Sequence, residues 1–472
     1  MRKRLLAFIV SVVMMFGVFG VSVVGAGAPA PSFNLVIDVL EWGSAATAVV
    51  IDLGHAITER QLDGLSIEVS AVMRNPIFIG AEPDFSGARE ITAVYLSNTA
   101  DIEHSLIRRN VASPGVAIGR YVVVELVFGF NNTAGQVNGS EASRWIASAP
   151  GMGQGSRNYW LLLDYTVIVD GVEIPYSGTV RPIYDDFDFV VGVGEFATQQ
   201  YRLYTPRGAT GPLPLVLWNH GGGETFGTHV APGIWYQNIL AENRGAELFA
   251  NMGGIGWVLN APEPAFVLAP QRGAAVPGGY SREGVIAYIE SLVAAGLVDA
   301  DRIYVSGPSA GGGESHNFLV EFPDFFAAAV IICTGGLALV EDNMDVFTSI
   351  PLWYMQAREF GGPIEPGGPN QPGAHWHGDA ITDIYHLLVE AGADIRKTIF
   401  NRVFGTELPN AFYAGSVHPS DFIPQDRNFY PNNHWSWLMV LNNVTIDADY
   451  VYYTSAGTVG QSFMDWLFEQ RR

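Results

Sequence analysis

The chain is almost without cysteine and lysine. Cys333 stands alone among 472 residues, so no disulfide can form within the chain, and one thiol is too few for a thiolate metal site. Lysine occurs only at Lys3 and Lys397. With 25 Lys and Arg against 47 Asp and Glu, the formal net charge is −22, and a surface of that sign repels a phosphate backbone. No nucleic-acid partner is expected. Charged residues reach only 15%, against 48% hydrophobic and 12% aromatic, which excludes a disordered chain and makes apolar burial carry the fold. Beyond the N-terminal segment no apolar run reaches the roughly 18 residues of a membrane-spanning helix.

The N-terminus reads as an address. Arg2, Lys3 and Arg4 precede an apolar run from Leu5 to about Val24, followed by the small residues Gly25, Ala26, Gly27 and Ala28. That order is a secretory signal peptide, with cleavage after Ala26 and residues 1–26 removed. An uncleaved membrane anchor is the other reading, because the run is long enough to span a bilayer. Either way the rest is expected outside the cell, and a cleaved chain has no stable membrane association. Loss of Arg2, Lys3 and Arg4 takes the net charge from −22 to −25.

Two textures follow. From Ser32 to Ile183 short alternating runs rich in Val, Ile, Tyr and Thr are separated by turn residues, among them Phe33–Leu40, Leu65–Val72 and Tyr159–Val169. They predict a β-sandwich of about seven strands, with Asp170-Gly171 as a hairpin turn. Its expected role is packing or homo-oligomer formation; carbohydrate binding through Trp42, Trp145 or Trp160 is the weaker alternative. From Tyr184 to Arg472, β-rich runs alternate with helical stretches at Ser281–Ala295, Ala380–Ala391 and Gln461–Glu469. That alternation predicts a mostly parallel sheet flanked by helices, with chemistry in the loops at the strand ends.

The sharpest signal is "RIYVSGPSAGG". A β-rich run ends in Gly307-Pro308-Ser309-Ala310-Gly311 and a helical stretch continues, which is G-x-S-x-G in its required context. Gly307 and Gly311 leave room for a strained turn that projects Ser309, and the helix N-terminus behind it offers N–H groups to an oxyanion. Upstream, "LWNHGGGE" places His220-Gly221-Gly222-Gly223-Glu224 directly after another strand, where a Gly-rich backbone can approach a substrate oxygen. A Ser hydroxyl needs an imidazole to take its proton, and in this order the base comes last. His434 in "NNHWSW" lies 125 residues after Ser309 and is the first candidate; His418 is the second. His316 is expected to pack or cap on the nucleophile helix, and His375-Trp376-His377 to lie in a surface loop. No metal site is expected.

The segments "LVLWNHGGGE", "FVLAPQ", "VDADRIYVSGPSAGG", "FPDFFAAAVIICTGG", "IPLWYMQA" and "NHWSW" resemble secreted esterases related to polyhydroxybutyrate depolymerases, one branch of which carries an N-terminal immunoglobulin-like domain. The resemblance runs from about Tyr184 to the C-terminus, with residues 32–183 in the place of the extra domain. It implies an α/β-hydrolase preceded by an all-β immunoglobulin-like sandwich, and cofactor-free hydrolysis of short-chain carboxylic esters, small or polymeric. It also implies Ser309 as nucleophile, His434 as base, and the N–H groups of Ala310 and of Gly221, Gly222 and Gly223 as the oxyanion hole. One element departs from the family. Its acid follows the seventh strand as H-G-x-x-D, and here the run is Gln356-Ala357-Arg358-Glu359-Phe360, with Phe360 where the aspartate belongs. Glu359, one residue early, is the favoured acid; Glu365 or Asp379 are alternatives, and absence of the acid is a third. Two rival functions stay open: a serine peptidase of the prolyl-oligopeptidase type, against which no propeller repeat precedes the domain, and a catalytically silent binding protein on the same scaffold.

Overall fold

The computed structural model describes residues 29–40, 43–75, 82–108, 115–128, 139–146, 157–208, 210–225, 252–273, 276, 278–357, 375–400, 437–443, 445–446, 451–454 and 460–472. Among these, eleven strands build the N-terminal part. They are β1 (Ser32–Leu40), β2 (Gly43–Thr58), β3 (Ile67–Arg74), β4 (Phe85–Ala88), β5 (Ile91–Ser97), β6 (Ile118–Leu126), β7 (Ser143–Ile146), β8 (Arg157–Trp160), β9 (Leu162–Val169), β10 (Val172–Ile174) and β11 (Tyr176–Val180). One sheet runs β11-β1-β2-β6-β5 and faces a second, β10-β9-β3-β4, while β7 and β8 form a separate ribbon. Alternating side chains such as Phe33, Leu35, Ile37, Val69, Ala71 and Val167 meet between the two sheets.

The sandwich exceeds the seven strands expected, for one local and one long-range reason. The run 159–169 is two strands: the N–H of Leu161 donates to Ala142 O (2.9 Å), so β8 pairs with β7 and β9 with β3. β11 joins as a parallel partner of β1, a long-range pairing that no hairpin turn announces. The Asp170-Gly171 turn does join β9 to β10, with both residues at positive φ.

The second part is a nine-stranded sheet. Its strands are β12 (Phe187–Val191), β13 (Gln200–Tyr204), β14 (Leu213–Trp218), β15 (Phe266–Pro270), β16 (Val298–Pro308), β17 (Ala328–Ile332), β18 (Leu352–Ala357), β19 (Ile395–Phe400) and β21 (Val451–Thr454), in the order β12-β13-β15-β14-β16-β17-β18-β19-β21. The small pair β20 (Thr445–Ile446) and β22 (Gln461–Ser462) stands apart. Neighbours from β15 to β19 are parallel, and antiparallel strands close both edges. The pleat sorts β14 cleanly: Leu215 and Leu217 go to one core with Val285, Ile289 and Phe318, while Val216 and Trp218 go to the other with Trp353 and Trp466. The helix Arg282–Ala294 starts where the Ser281 hydroxyl accepts the Gly284 N–H (3.1 Å), and it buries Val285, Ile286, Ile289 and Leu292 at helical spacing. One expectation fails. Residues His375–Glu390 are a helix, so His375-Trp376-His377 lies at the start of a helix instead of in a loop.

The two parts share packing. Val39 of β1 belongs to the same core as Trp218 and Trp353, and Trp160 of β8 touches that core and the sandwich core alike. The C-terminal helix Phe463–Glu469 docks beneath the sheet, with Trp466 edge-on to Trp353 (5.3 Å) and the Arg396 guanidinium 5.4 and 5.1 Å from their ring centres. Trp466→Ala is expected to lower unfolding free energy by about 3–5 kcal/mol. Trp466→Phe should lose less than half of that, because the indole N–H has no partner among the described residues. Urea unfolding of both variants checks the contrast.

Candidate active site

Ser309 stands between β16 and the helix Ala310–Glu321 at φ 56°, ψ −121°. A β-carbon makes this conformation costly, so the turn persists only because its surroundings over-determine it. They do so on both sides. The Ser309 N–H donates to Ile332 O (2.9 Å), and the Ser309 carbonyl accepts from the Gly313 N–H (3.1 Å). A Cβ on Gly307 would lie 2.4 Å from Asn219 O, and one on Gly311 only 1.9 Å from that same oxygen. Those glycines let the nucleophile turn press against the end of β14. The Ser309 side chain caps no helix N–H, which leaves its hydroxyl available; the residue is half-buried and Ala310 is exposed.

The same close approach brings in the glycine loop. Asn219 N–H donates to Ser306 O (2.8 Å), and the chain then turns through Gly222–Glu224. A Cβ on Gly222 would be 3.9 Å from the Ala310 Cβ, and one on Gly221 would be 3.6 Å from Pro308 O. Gly223 is buried. Thus the loop Gly221–Gly223 and the start of the helix Ala310–Glu321 lie side by side next to Ser309. His434, Glu359, Glu365 and His418 lie outside the described residues, and of Asp379 only its place in the helix His375–Glu390 is given.

Side chains at the end of β15 brace the loop, and of them Arg272 was not singled out by the sequence. The Arg272 N–H donates to His220 Nε2 (2.9 Å), which makes that nitrogen the acceptor and puts the ring hydrogen on Nδ1, facing Gly221 O (2.8 Å). The Arg272 guanidinium donates to His220 O and to Ala310 O (3.3 Å). It therefore ties the glycine loop to the nucleophile helix. Gln271 Nε2 donates to Glu224 O (2.8 Å). Gln271 and Arg272 follow β15 at its carboxyl end, and that position was the available signal.

Burial lowers the Arg272 pKa and raises that of Glu224. For Glu224, hydrogen bonds from its own N–H, from Asn158 and from the Gly221 N–H oppose the rise, with help from the Arg272 charge. Glu314 goes the other way. Burial would raise it, but hydrogen bonds from Tyr280 (2.6 Å) and Arg282 (3.0 Å), with the Arg272 and Arg282 charges, hold it below its usual value. Cys333 is fully buried at the end of β17. Among the described residues no three His, Cys, Asp or Glu side chains group to hold a metal, and no helix is long and apolar enough to cross a membrane.

A family model described as the esterase Ig-like N-terminal domain matches residues 32–179. The match spans the sandwich from β1 to within a residue of the end of β11. The chain as a whole shares its fold with a crystal structure of a thermostable esterase at TM-score 0.58 and 23% identity, over 93% of this chain and 100% of that one. A ferulic acid esterase (TM-score 0.31, 14% identity, 45% of this chain and 88% of that chain) and an acylaminoacyl peptidase of Pyrococcus horikoshii (0.29, 13%, 46% and 36%) overlap it in part. No curated protein sequence matches the chain. A β-sandwich matched by an Ig-like domain model, followed by a mostly parallel sheet flanked by helices, is the expected architecture.

His316 packs as expected, fully buried on the nucleophile helix with Nε2 2.8 Å from the Tyr354 hydroxyl and its ring edge-on to Phe347. Burial pushes its pKa down to about 4. The unfolded chain takes up that proton near pH 6.5, so this site's contribution to stability is complete above about 6.5 and falls away as pH drops toward 4. Between pH 7.5 and 4.5 His316→Gln should lose about 2–3 kcal/mol less unfolding free energy than the parent. Denaturant midpoints at the two pH values measure it.

Proposed function

We propose that the protein is a serine esterase that hydrolyses carboxylic esters, short-chain ones in particular, through an acyl-enzyme on Ser309. The observation that carries the reading is the strained Ser309 turn, held by Gly307 and Gly311 against Asn219 and set beside the Ala310 and Gly221–Gly223 amides. In this mechanism His434 takes the Ser309 proton as the hydroxyl attacks the ester carbonyl. The oxyanion is held by the main-chain N–H of Ala310 and by the glycine loop, aided by the positive end of the helix Ala310–Glu321. His434 then protonates the leaving alcohol, and water repeats the sequence to free the acid. A carboxylate, with Glu359 first in line, orients the imidazole and stabilises its cation. The leader 1–26 makes this an exported enzyme.

Fold likeness to an esterase supports the reading, and so does an Ig-like domain of a kind named for esterases. The site needs no cofactor for this chemistry. Ser309→Ala should reduce hydrolysis of p-nitrophenyl butyrate to background and abolish labelling by a fluorophosphonate probe. Near-normal turnover in that variant would falsify the assignment. Glu359→Gln should lower kcat by about three to four decades, the scale seen when a triad acid is neutralised. An unaffected rate would move the acid to Glu365 or Asp379.

A further inference from the structure

Glu224 is a carboxylate with an unusual set of holders. Its main-chain oxygen is anchored by Gln271 from the catalytic sheet. Its Oε1 accepts a hydrogen bond from Asn158 Nδ2, a side chain on β8 of the N-terminal ribbon. Its Oε2 lies 3.0 Å from where a Cβ on Gly221 would stand, and the carboxylate takes hydrogen bonds from the N–H groups of Glu224 and Gly221. The side chain thus folds back beneath the loop that carries it. A Cβ on Gly222 would stand 3.9 Å from the Ala310 Cβ, so the loop braced by this carboxylate is the one that borders the helix Ala310–Glu321.

The donor across the domain boundary is not free to wander. β8 packs against the Gly222–Glu224 turn. Two residues on, Trp160 stands edge-on to Tyr184 (5.7 Å) and under the Arg181 guanidinium (5.2 Å), and it packs against both hydrophobic cores. Asn158 is half-buried, and its carrier strand is pinned at the junction of the two parts. The inner side of the loop is held by His220, Gln271 and Arg272; the outer side is held through Asn158.

We propose that the Ig-like domain completes the oxyanion hole, with Asn158 acting as a positioning residue that clamps Glu224 and so fixes the Gly222 and Gly223 amides at the geometry of the transition state. This rests on the esterase reading of the same site. The physical reason is local. A half-buried carboxylate keeps its charge at low cost only while its hydrogen bonds are made, and Asn158 supplies one of few. Without it the carboxyl takes a proton at higher pH and releases the loop amides. The charged neighbour that bears on its titration is Arg272, itself in the field of Glu314 and Tyr280; His220 lies behind it, with Nε2 accepting from the Arg272 N–H.

The test uses the full chain and p-nitrophenyl butyrate. Asn158→Ala should lower kcat about 10- to 100-fold with KM within threefold, since the lost contact acts on the transition state. The acid limb of its kcat profile should move to higher pH. Asn158→Asp keeps the shape but opposes one carboxylate to another, and should be at least as impaired. Adding Glu224→Gln to Asn158→Asp restores the hydrogen bond with donor and acceptor exchanged, and should recover at least tenfold in kcat. A folded Asn158→Ala protein with parental kcat and pH profile overturns the proposal, as does a loss confined to KM or a double variant without recovery. A parent that hydrolyses no ester and takes no fluorophosphonate overturns the esterase reading together with this one; an active parent with an indifferent Asn158 overturns this one alone.

Discussion

The contact between the Ser309 turn and the end of β14 organises the second half of the molecule. Asn219 O sits where two β-carbons would have to be, one on residue 307 and one on residue 311, and it can sit there only because both are glycine. That approach makes a left-handed serine tolerable, because the Ser309 amide and carbonyl are taken by Ile332 and Gly313 while the flanking chain cannot relax outward. It also places the glycine loop beside Ala310, since the loop leaves β14 at the residue that touches the turn. Pull the two segments apart and the serine loses its projection and its amide cradle in one step.

Around this contact the charges form layers. Arg272 bridges the glycine loop and the nucleophile helix through carbonyl oxygens and has no carboxylate hydrogen-bonded to it among the described residues, an arrangement that burial makes costly for the cation. Glu314, one helical turn beyond Ala310, stays ionised through Tyr280 and Arg282 and provides a compensating field behind it. Glu224 supplies a second from below the loop. Three ionisable groups therefore brace the glycine loop and the start of the helix Ala310–Glu321.

How much of this could be read beforehand follows from the range of each interaction. The Ser309 turn and the His220–Gly223 loop were legible because their requirements are local: glycine where a Cβ cannot fit, and serine between strand and helix. The parallel sheet followed from the alternation of β runs with helices. The role of Asn158 was hidden, because it meets Glu224 across 66 residues of sequence and a domain boundary, and asparagine carries no pattern of its own. β11 escaped for the same reason, pairing with β1 across most of the sandwich sequence. The helix at His375 begins earlier than composition suggested, because His-Trp-His has weak intrinsic preference and only tertiary context decides it. Arg272 belongs to no motif, and its only mark in the sequence is its place just beyond a strand.

Val39 and Trp160 lie among the side chains under the catalytic sheet although they belong to the sandwich. Scission of the connection between Val180 and Phe187 therefore would not release two self-sufficient pieces. Each fragment would carry a raw hydrophobic scar shaped like the other, and such scars stick to whatever they meet first. Evolution could lengthen the loops of this protein freely, but it could shuffle its leading module onto another enzyme only by rebuilding that seam.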